Sequence, residues 1–299
     1  MSPPERGFLV SAGRRLATIT HFPEAAPTRN PAVVLGHGLA NDYDEAGQFA
    51  PLAERLADAG FVVLRFDFRG GRRDTMPGFQ FPAGEWPHDL RAAISSVRSL
   101  DAVDADRVVV IGASAGGSVA LSVGCLEPQL KGIASLSSPG DGARWFEGLW
   151  TRVHGPSGWR RFQSELADDR RQRTTGAPSR RVRLAGEFLP VRADQLEETE
   201  RFVRENPGML DELPLAVADD LLLLRPETVA DRITVPVLVL HGAEDTLVLP
   251  EEAERLATGD QSRAVVVDEQ PHQMLLGPRG EDVIDLLVEW SRSVAAVSR

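Results

Sequence analysis

Gly112-Ala113-Ser114-Ala115-Gly116 sets a serine between two glycines, and the flanks of this pentapeptide give it a chemical meaning. The β-branched run Val108-Val-Val-Ile111 leads in, and the small, apolar run Ser118-Val-Ala-Leu121 leads out. A strand that turns sharply into a helix over such a sequence lifts the serine hydroxyl above the sheet edge. The turn leaves no room for side chains at its two ends, which accounts for Gly112 and Gly116. A helix starting at Ser114 also aims backbone N–H groups and the positive end of its dipole at any oxyanion formed there. The chain has 27 glycines. A chance match to the pattern in such a chain has odds on the order of one in ten, so the flanking strand and helix decide in its favour.

A serine hydroxyl is a poor nucleophile until a base takes its proton and a carboxylate orients that base. Two loops downstream carry such groups. Val237 to His241 reads as a strand followed by Gly242-Ala243-Glu244-Asp245, and Val265 to Val267 as a strand followed by Asp268-Glu-Gln-Pro-His272. Glu244 and Asp245 compete for the acid, and His241 and His272 for the base. Both loops follow strand carboxyl ends, the same edge on which Ser114 is raised. His37 is expected to stabilise its own glycine turn, and Asp67 and Asp74 to hydrogen-bond loop backbone. His21, His88 and His154 have no visible partners in the sequence.

These groups need a scaffold that brings distant loops together, and the hydrophobic pattern supplies one. Phe8 to Val10 and Leu16 to His21 read as a hairpin. Short continuous apolar runs at Ala32, Phe61, Val108, Gly132 and Val235 read as strands, with helical patterns over 45–59, 88–100, from Ser114 on through Val119-Ala-Leu-Ser-Val123, and over 251–258 and 281–294. Such alternation indicates a mostly parallel sheet covered on both faces, an α/β fold. The rhythm stops from Asp141 to Asp231, where the pattern is helical and rich in arginine, glutamate and aromatics. The division is therefore a core at 1–140 and 232–299 with a helical cap at 141–231, which leaves the sheet at the edge where ligands bind. Trp145, Phe146 and Trp150 enter this cap near Ser114 and are expected at a pocket mouth, where aromatics hold an acyl or aryl group; the competing expectation is that they fasten cap to sheet.

With His37-Gly38-Leu39-Ala40-Asn41, Phe66-Asp67-Phe68-Arg69-Gly70 and the Gly242 to Asp245 loop added, the chain outside the cap resembles the α/β-hydrolase superfamily. It is most similar to the esterase, thioesterase and feruloyl-esterase-like branches that carry His-Gly-x-x-x-Asn. The resemblance implies Ser114 as nucleophile, Asp245 as acid, His272 as base, and the N–H groups of Leu39 and Ala115 as the oxyanion hole. Alanines flank Ser114 where many relatives have histidine or glutamine. The implied activity is hydrolysis of a carboxylic ester or thioester through an acyl-enzyme. The alternatives are acyl transfer, lyase or cyclase chemistry on the same triad, or a non-catalytic small-molecule-binding module.

Composition narrows the partners. The 299 residues carry a net charge of −11, which disfavours nucleic acid and anionic membranes and leaves a small-molecule substrate. No apolar run reaches the roughly 18 residues of a membrane span, and no secretory signal is visible at Met1-Ser-Pro-Pro-Glu-Arg-Gly. The single cysteine, Cys125, reads as core filling, and together these features favour the cytoplasm. No residue spacing matches a metal site or a dinucleotide or phosphate loop, so neither metal nor cofactor is expected. The arginine-dense stretch from Arg152 to Arg183 is interspersed with Glu165, Asp168 and Asp169 and reads as a solvated, ion-paired face. Nothing in the sequence sets an oligomeric state.

Overall fold

A computed structural model describes residues 3–24, 29–71 and 84–296. In chain order its strands are β1 (Glu5–Ser11), β2 (Arg14–His21), β3 (Asn30–Gly36), β4 (Val62–Phe66), β5 (Val103–Ala113), β6 (Gly132–Leu136), β7 (Arg181–Arg183), β8 (Glu212–Pro214), β9 (Val237–Gly242) and β10 (Ser262–Val267). The helices are α1 (Phe49–Asp58), α2 (Trp86–Arg98), α3 (Ala115–Gly124), α4 (Gly142–Arg173), α5 (Leu196–Glu205), α6 (Val217–Leu221), α7 (Glu252–Leu256) and α8 (Gly280–Ala296). Eight strands form one sheet in the order β1-β2-β4-β3-β5-β6-β9-β10. β2 runs antiparallel to both β1 and β4, and all other neighbours are parallel.

Burial explains the apolar runs. Val33, Leu35, Val109, Ile111, Leu238 and Leu240 pack on Phe49, Leu52 and Leu56 of α1 and on Ile284 and Leu287 of α8. On the opposite face Val34, Val108, Val110 and Val239 meet Leu90 and Ile94 of α2 and Val119 and Leu121 of α3. A strand covered on both sides has no polar face to show, so alternation disappears. The parallel register sets Gly36 opposite Gly112, and Leu136 opposite Ala113. The ends of β3, β5 and β6 therefore lie level, and the turns leaving them are neighbours.

Two expectations are corrected. The helix expected from Glu45 begins at Phe49, because Glu45, Ala46 and Gly47 take left-handed backbone angles with φ of 47°, 52° and 85°. The segment between β6 and β9 is not helical throughout, since β7 and β8 pair as a separate antiparallel ribbon. Its longest helix, α4, is broken at Gly155 (φ 69°), just before Pro156, whose ring and missing N–H interrupt the ladder. The arginine-dense stretch is ion-paired: Arg173 joins Asp169 and Asp219, Arg170 also reaches Asp219, and Arg180 joins Glu165. No helix among the described residues is long and apolar enough to cross a membrane.

Candidate active site

Ser114 sits between β5 and α3 with φ 50° and ψ −122°, a conformation that costs a non-glycine residue about 1–3 kcal/mol. Its N–H donates to Leu136 O at 2.7 Å, fixing the turn to β6. A Cβ on Gly112 would lie 2.4 Å from Gly116 O, and one on Gly116 would lie 2.3 Å from His37 O. Backbone fills both spaces, so no side chain is tolerated at either position. Ala115 opens α3, where no carbonyl four residues back accepts its N–H.

The two downstream loops converge beside this turn. Asp245 follows β9 and His272 follows β10, strands that pair directly. His272 Nδ1 and Asp245 Oδ2 are 2.7 Å apart. Asp245 Oδ1 accepts the N–H groups of Leu247 and Val248, each at 2.9 Å. Burial favours the neutral acid, but the His272 charge and hydrogen bonds from His241 and His272 outweigh it and hold the Asp245 carboxyl well below the usual carboxylate range. Glu244 is exposed at the rim, and Asp245 is the buried one of the two. His241 reaches Val248 O at 2.9 Å and Asp245 Oδ2 at 3.3 Å through Nε2. A carbonyl can only accept, so His241 carries its proton on Nε2 and braces the acid loop. His272 keeps its proton on Nδ1 against the carboxylate, which leaves Nε2 as the basic atom. Burial lowers the pKa of His272, and the Asp245 charge, the Nδ1 hydrogen bond and Glu45 more than offset that and raise it above 6.5.

The turn after β3 completes one side of the site. His37 Nε2 accepts Phe68 N–H at 2.9 Å, so its Nδ1–H donates to Gly38 O at 2.7 Å. Burial pushes the His37 pKa down to about 4, so the ring stays neutral and structural. Asp67 braces the same region, accepting Tyr43 N–H at 2.7 Å. Asp74 lies outside the described residues. His21 is buried beside Arg65, and Cys125 is half-buried with its Sγ on Ser122 O.

A cavity of about 360 Å³ lies above Ser114, Gly38, Leu39 and His272. Its far wall comes from the segment between β6 and β9, including Trp145, Leu149, Val153, Phe202 and Met209. Asp141 caps α4 by accepting Arg144 N–H, and Arg144 bridges Glu227 and Glu252, so the start of this helix is anchored at the sheet edge. Trp145 lines the cavity and donates Nε1–H to Leu247 O at 2.8 Å. Phe146 and Trp150 do not reach it, which corrects the expectation that the three aromatics act together. Phe146 packs on Phe162 and Phe188, and Trp150 on Phe162. Helical residues advance by about 100° each, so Trp145, Leu149 and Val153 share one stripe while Phe146 and Trp150 share the next. Among the described residues no group of three His, Cys, Asp or Glu side chains could hold a metal ion.

One cavity residue escaped the sequence reading. Glu45 is buried beside Ser114 and His272; its only signal in the sequence is Gly47, which interrupts an otherwise helical run.

Sheet order, elbow and flanking helices together define an α/β hydrolase. The family model described as serine aminopeptidase, S33, matches residues 27–278, and the chain belongs to that family within the α/β-hydrolase superfamily. It is 30% identical over 146 residues to 2,6-dihydropseudooxynicotine hydrolase of Paenarthrobacter nicotinovorans, covering 48% of this chain and 38% of that protein. It is 32% identical over 113 residues to the quorum-quenching protein AidA of Acinetobacter baumannii, covering 38% of this chain and 36% of AidA. The chain thus spans well under half the length of these relatives. The structure of the α/β hydrolase GrgF from Penicillium sp. sh18 superposes with a TM-score of 0.79 at 16% identity, over 99% of this chain and all of that one.

Proposed function

We propose that the protein is a serine hydrolase that cleaves a carboxylic ester or thioester of a small molecule through an acyl-enzyme. The observation that carries this reading is the 2.7 Å contact between Asp245 Oδ2 and His272 Nδ1, at the wall of a cavity that also exposes Ser114. Asp245 holds the imidazole with Nε2 free to accept a proton. Ser114 Oγ attacks the carbonyl carbon as Nε2 takes its proton, and the carbonyl electrons move onto oxygen. The N–H groups of Leu39 and Ala115 receive that oxyanion. The imidazolium then returns its proton to the departing alcohol or thiol, leaving the acyl group on Ser114. Water repeats the sequence and releases the acid. Ser114 Oγ and His272 are not hydrogen-bonded to each other, and a contact of this kind commonly tightens only when substrate binds. Residues 141–231 serve as a cap over the core formed by 1–140 and 232–299. The hydrolase named among the relatives supports hydrolysis over transfer.

The test is a panel of chromogenic acyl esters of graded length run beside coenzyme-A thioesters, with water as the only acceptor. Product formed only when an added alcohol or amine is present would assign the site to acyl transfer instead. The same panel checks the cavity wall. Trp145→Ala is expected to change the preference across acyl lengths, because it enlarges the space above Ser114. Phe146→Ala is expected to leave the preference unchanged and to lower stability by about 3–5 kcal/mol, the usual cost of emptying a buried aromatic site. An unchanged profile for Trp145→Ala would remove the tryptophan from the binding surface.

The pH profile follows from the sign of the His272 shift. The base works only when neutral, and its pKa lies above 6.5. Activity is therefore fully present well above that value and lost as pH falls through it. A kcat/KM profile should show an acid limb with its midpoint above 6.5. A rate that stays flat from about pH 5 to 8 would argue against a histidine base.

A further inference from the structure

The turn between β3 and α1 carries a carboxyl group that no step above uses. Glu45 stands at φ 47° and is followed by two more left-handed residues, Ala46 and Gly47. Such strain persists only where the surroundings over-determine it, and here they do. Asp67 holds Tyr43 N–H, Arg65 pairs with Asp44, and Gln48 Oε1 accepts Leu275 N–H at 3.1 Å. The result is a side chain that curls back onto the residues before it. Glu45 Oε2 accepts Gly38 N–H at 2.5 Å, and Oε1 accepts Asn41 Nδ2 at 3.2 Å.

Gly38 is the residue through which this contact acts. Glycine has the widest choice of backbone angles, yet both ends of Gly38 are pinned: its N–H by Glu45, and its C=O by the His37 ring at 2.7 Å. The C=O of Gly38 and the N–H of Leu39 belong to one planar trans peptide and point in opposite directions. Fixing Gly38 therefore fixes the direction of the Leu39 N–H. The same place adjoins the serine, since a Cβ on Gly38 would lie 3.0 Å from Glu45 Oε1 and 3.1 Å from Ser114 Cβ.

We propose that Glu45 is a positioning residue for the oxyanion hole: by accepting the Gly38 N–H it holds the His37–Gly38 peptide, and with the His37 ring on Gly38 O this leaves Gly38 between two anchored peptides and so fixes the direction in which Leu39 N–H is presented. The inference rests on the serine-hydrolase reading for its catalytic consequence and on the Gly38 contact alone for its structural one. Burial pushes the Glu45 carboxyl up to about 8, against the pull of the Gly38 N–H and His272 and with the push of Asp42.

Two conservative variants separate reach from charge. Glu45→Gln keeps an acceptor at the same distance, whereas Glu45→Asp keeps the acid but is one methylene too short to reach Gly38. Ester hydrolysis by Glu45→Gln should stay within about threefold of the parent. Glu45→Asp should lose kcat by on the order of 100-fold, the scale of a disabled oxyanion donor, with KM changed by less than about threefold. Equal damage from both variants, or a full-rate Glu45→Asp, would overturn the proposal. Amide exchange of Gly38, followed by NMR, gives a readout independent of turnover. Its N–H should exchange slowly in the parent and in Glu45→Gln, and markedly faster in Glu45→Asp. Unchanged Gly38 protection in Glu45→Asp overturns the proposal even if no ester proves to be a substrate. Loss of turnover in the parent itself, with Gly38 behaving as expected, would instead count against the hydrolase reading.

Discussion

Ser114→Ala is expected to lower turnover by roughly 10⁴-fold or more while the protein stays folded, as for other triad nucleophiles. The contrast arises because the Ser114 hydroxyl supports nothing else. The elbow is held by Ser114 N–H on Leu136 O and by the close approach of Gly112 to Gly116, neither of which involves Oγ. Alanine at φ 50° carries the same backbone strain as serine, so the melting temperature should scarcely move. Burst kinetics with a chromogenic ester and labelling by a fluorophosphonate probe measure the loss directly. Less than about a tenfold reduction, or a label that still attaches to the alanine variant, would remove Ser114 from the role of nucleophile.

Asp245→Asn and His272→Ala should each impair turnover nearly as severely, and Glu244→Gln only slightly. Asp245 Oδ1 is committed to the N–H groups of Leu247 and Val248, so an asparagine must keep its oxygen there. Its NH2 then faces His272 Nδ1, two donors collide, and the imidazole moves its proton to Nε2. A ring in that tautomer cannot take a proton from Ser114, and a loss of about 10⁴-fold in kcat follows. Glu244 is exposed at the rim, whereas the His272 ring bonds Asp245. Steady-state kinetics on the three variants decide the assignment, and a greater effect from Glu244→Gln would place the acid one residue earlier.

The parts of this molecule that could be read from its sequence are those decided locally. Val108 to Ile111 followed by two well-spaced glycines specifies a strand, a tight turn and a helix because each residue answers to its neighbours. The loops carrying Asp245 and His272 were legible for a similar reason, since each directly follows a short β-branched strand. Glu45 was not. Its neighbours form a helical pattern, and what overrides that pattern is contact with Asp67, Arg65 and Leu275, residues distant in the chain. The division of labour between Trp145 and Phe146 was hidden as well. Adjacent aromatics carry the same hydrophobic signal, and only the rotation of α4 against the sheet decides which faces the cavity and which the packed interior. The β7–β8 ribbon joins residues some thirty apart, with no turn sequence between them to announce it.

The backbone bond from Leu210 N–H to Ala40 O, at 2.8 Å, ties the segment between β6 and β9 to the turn that carries Leu39. Gly208 seats against Asp42 in the same turn, where any side chain would strike the carboxylate. The roof of the cavity and the peptide beside the nucleophile are consequently one mechanical unit. A movement that lifts the roof at 208–210 breaks or drags the bond at Ala40, one residue from Leu39. On the hydrolase reading proposed above, admission of substrate past 208–210 and readiness for chemistry at Leu39 would lie along a single coordinate, so that opening the protein would also disarm it.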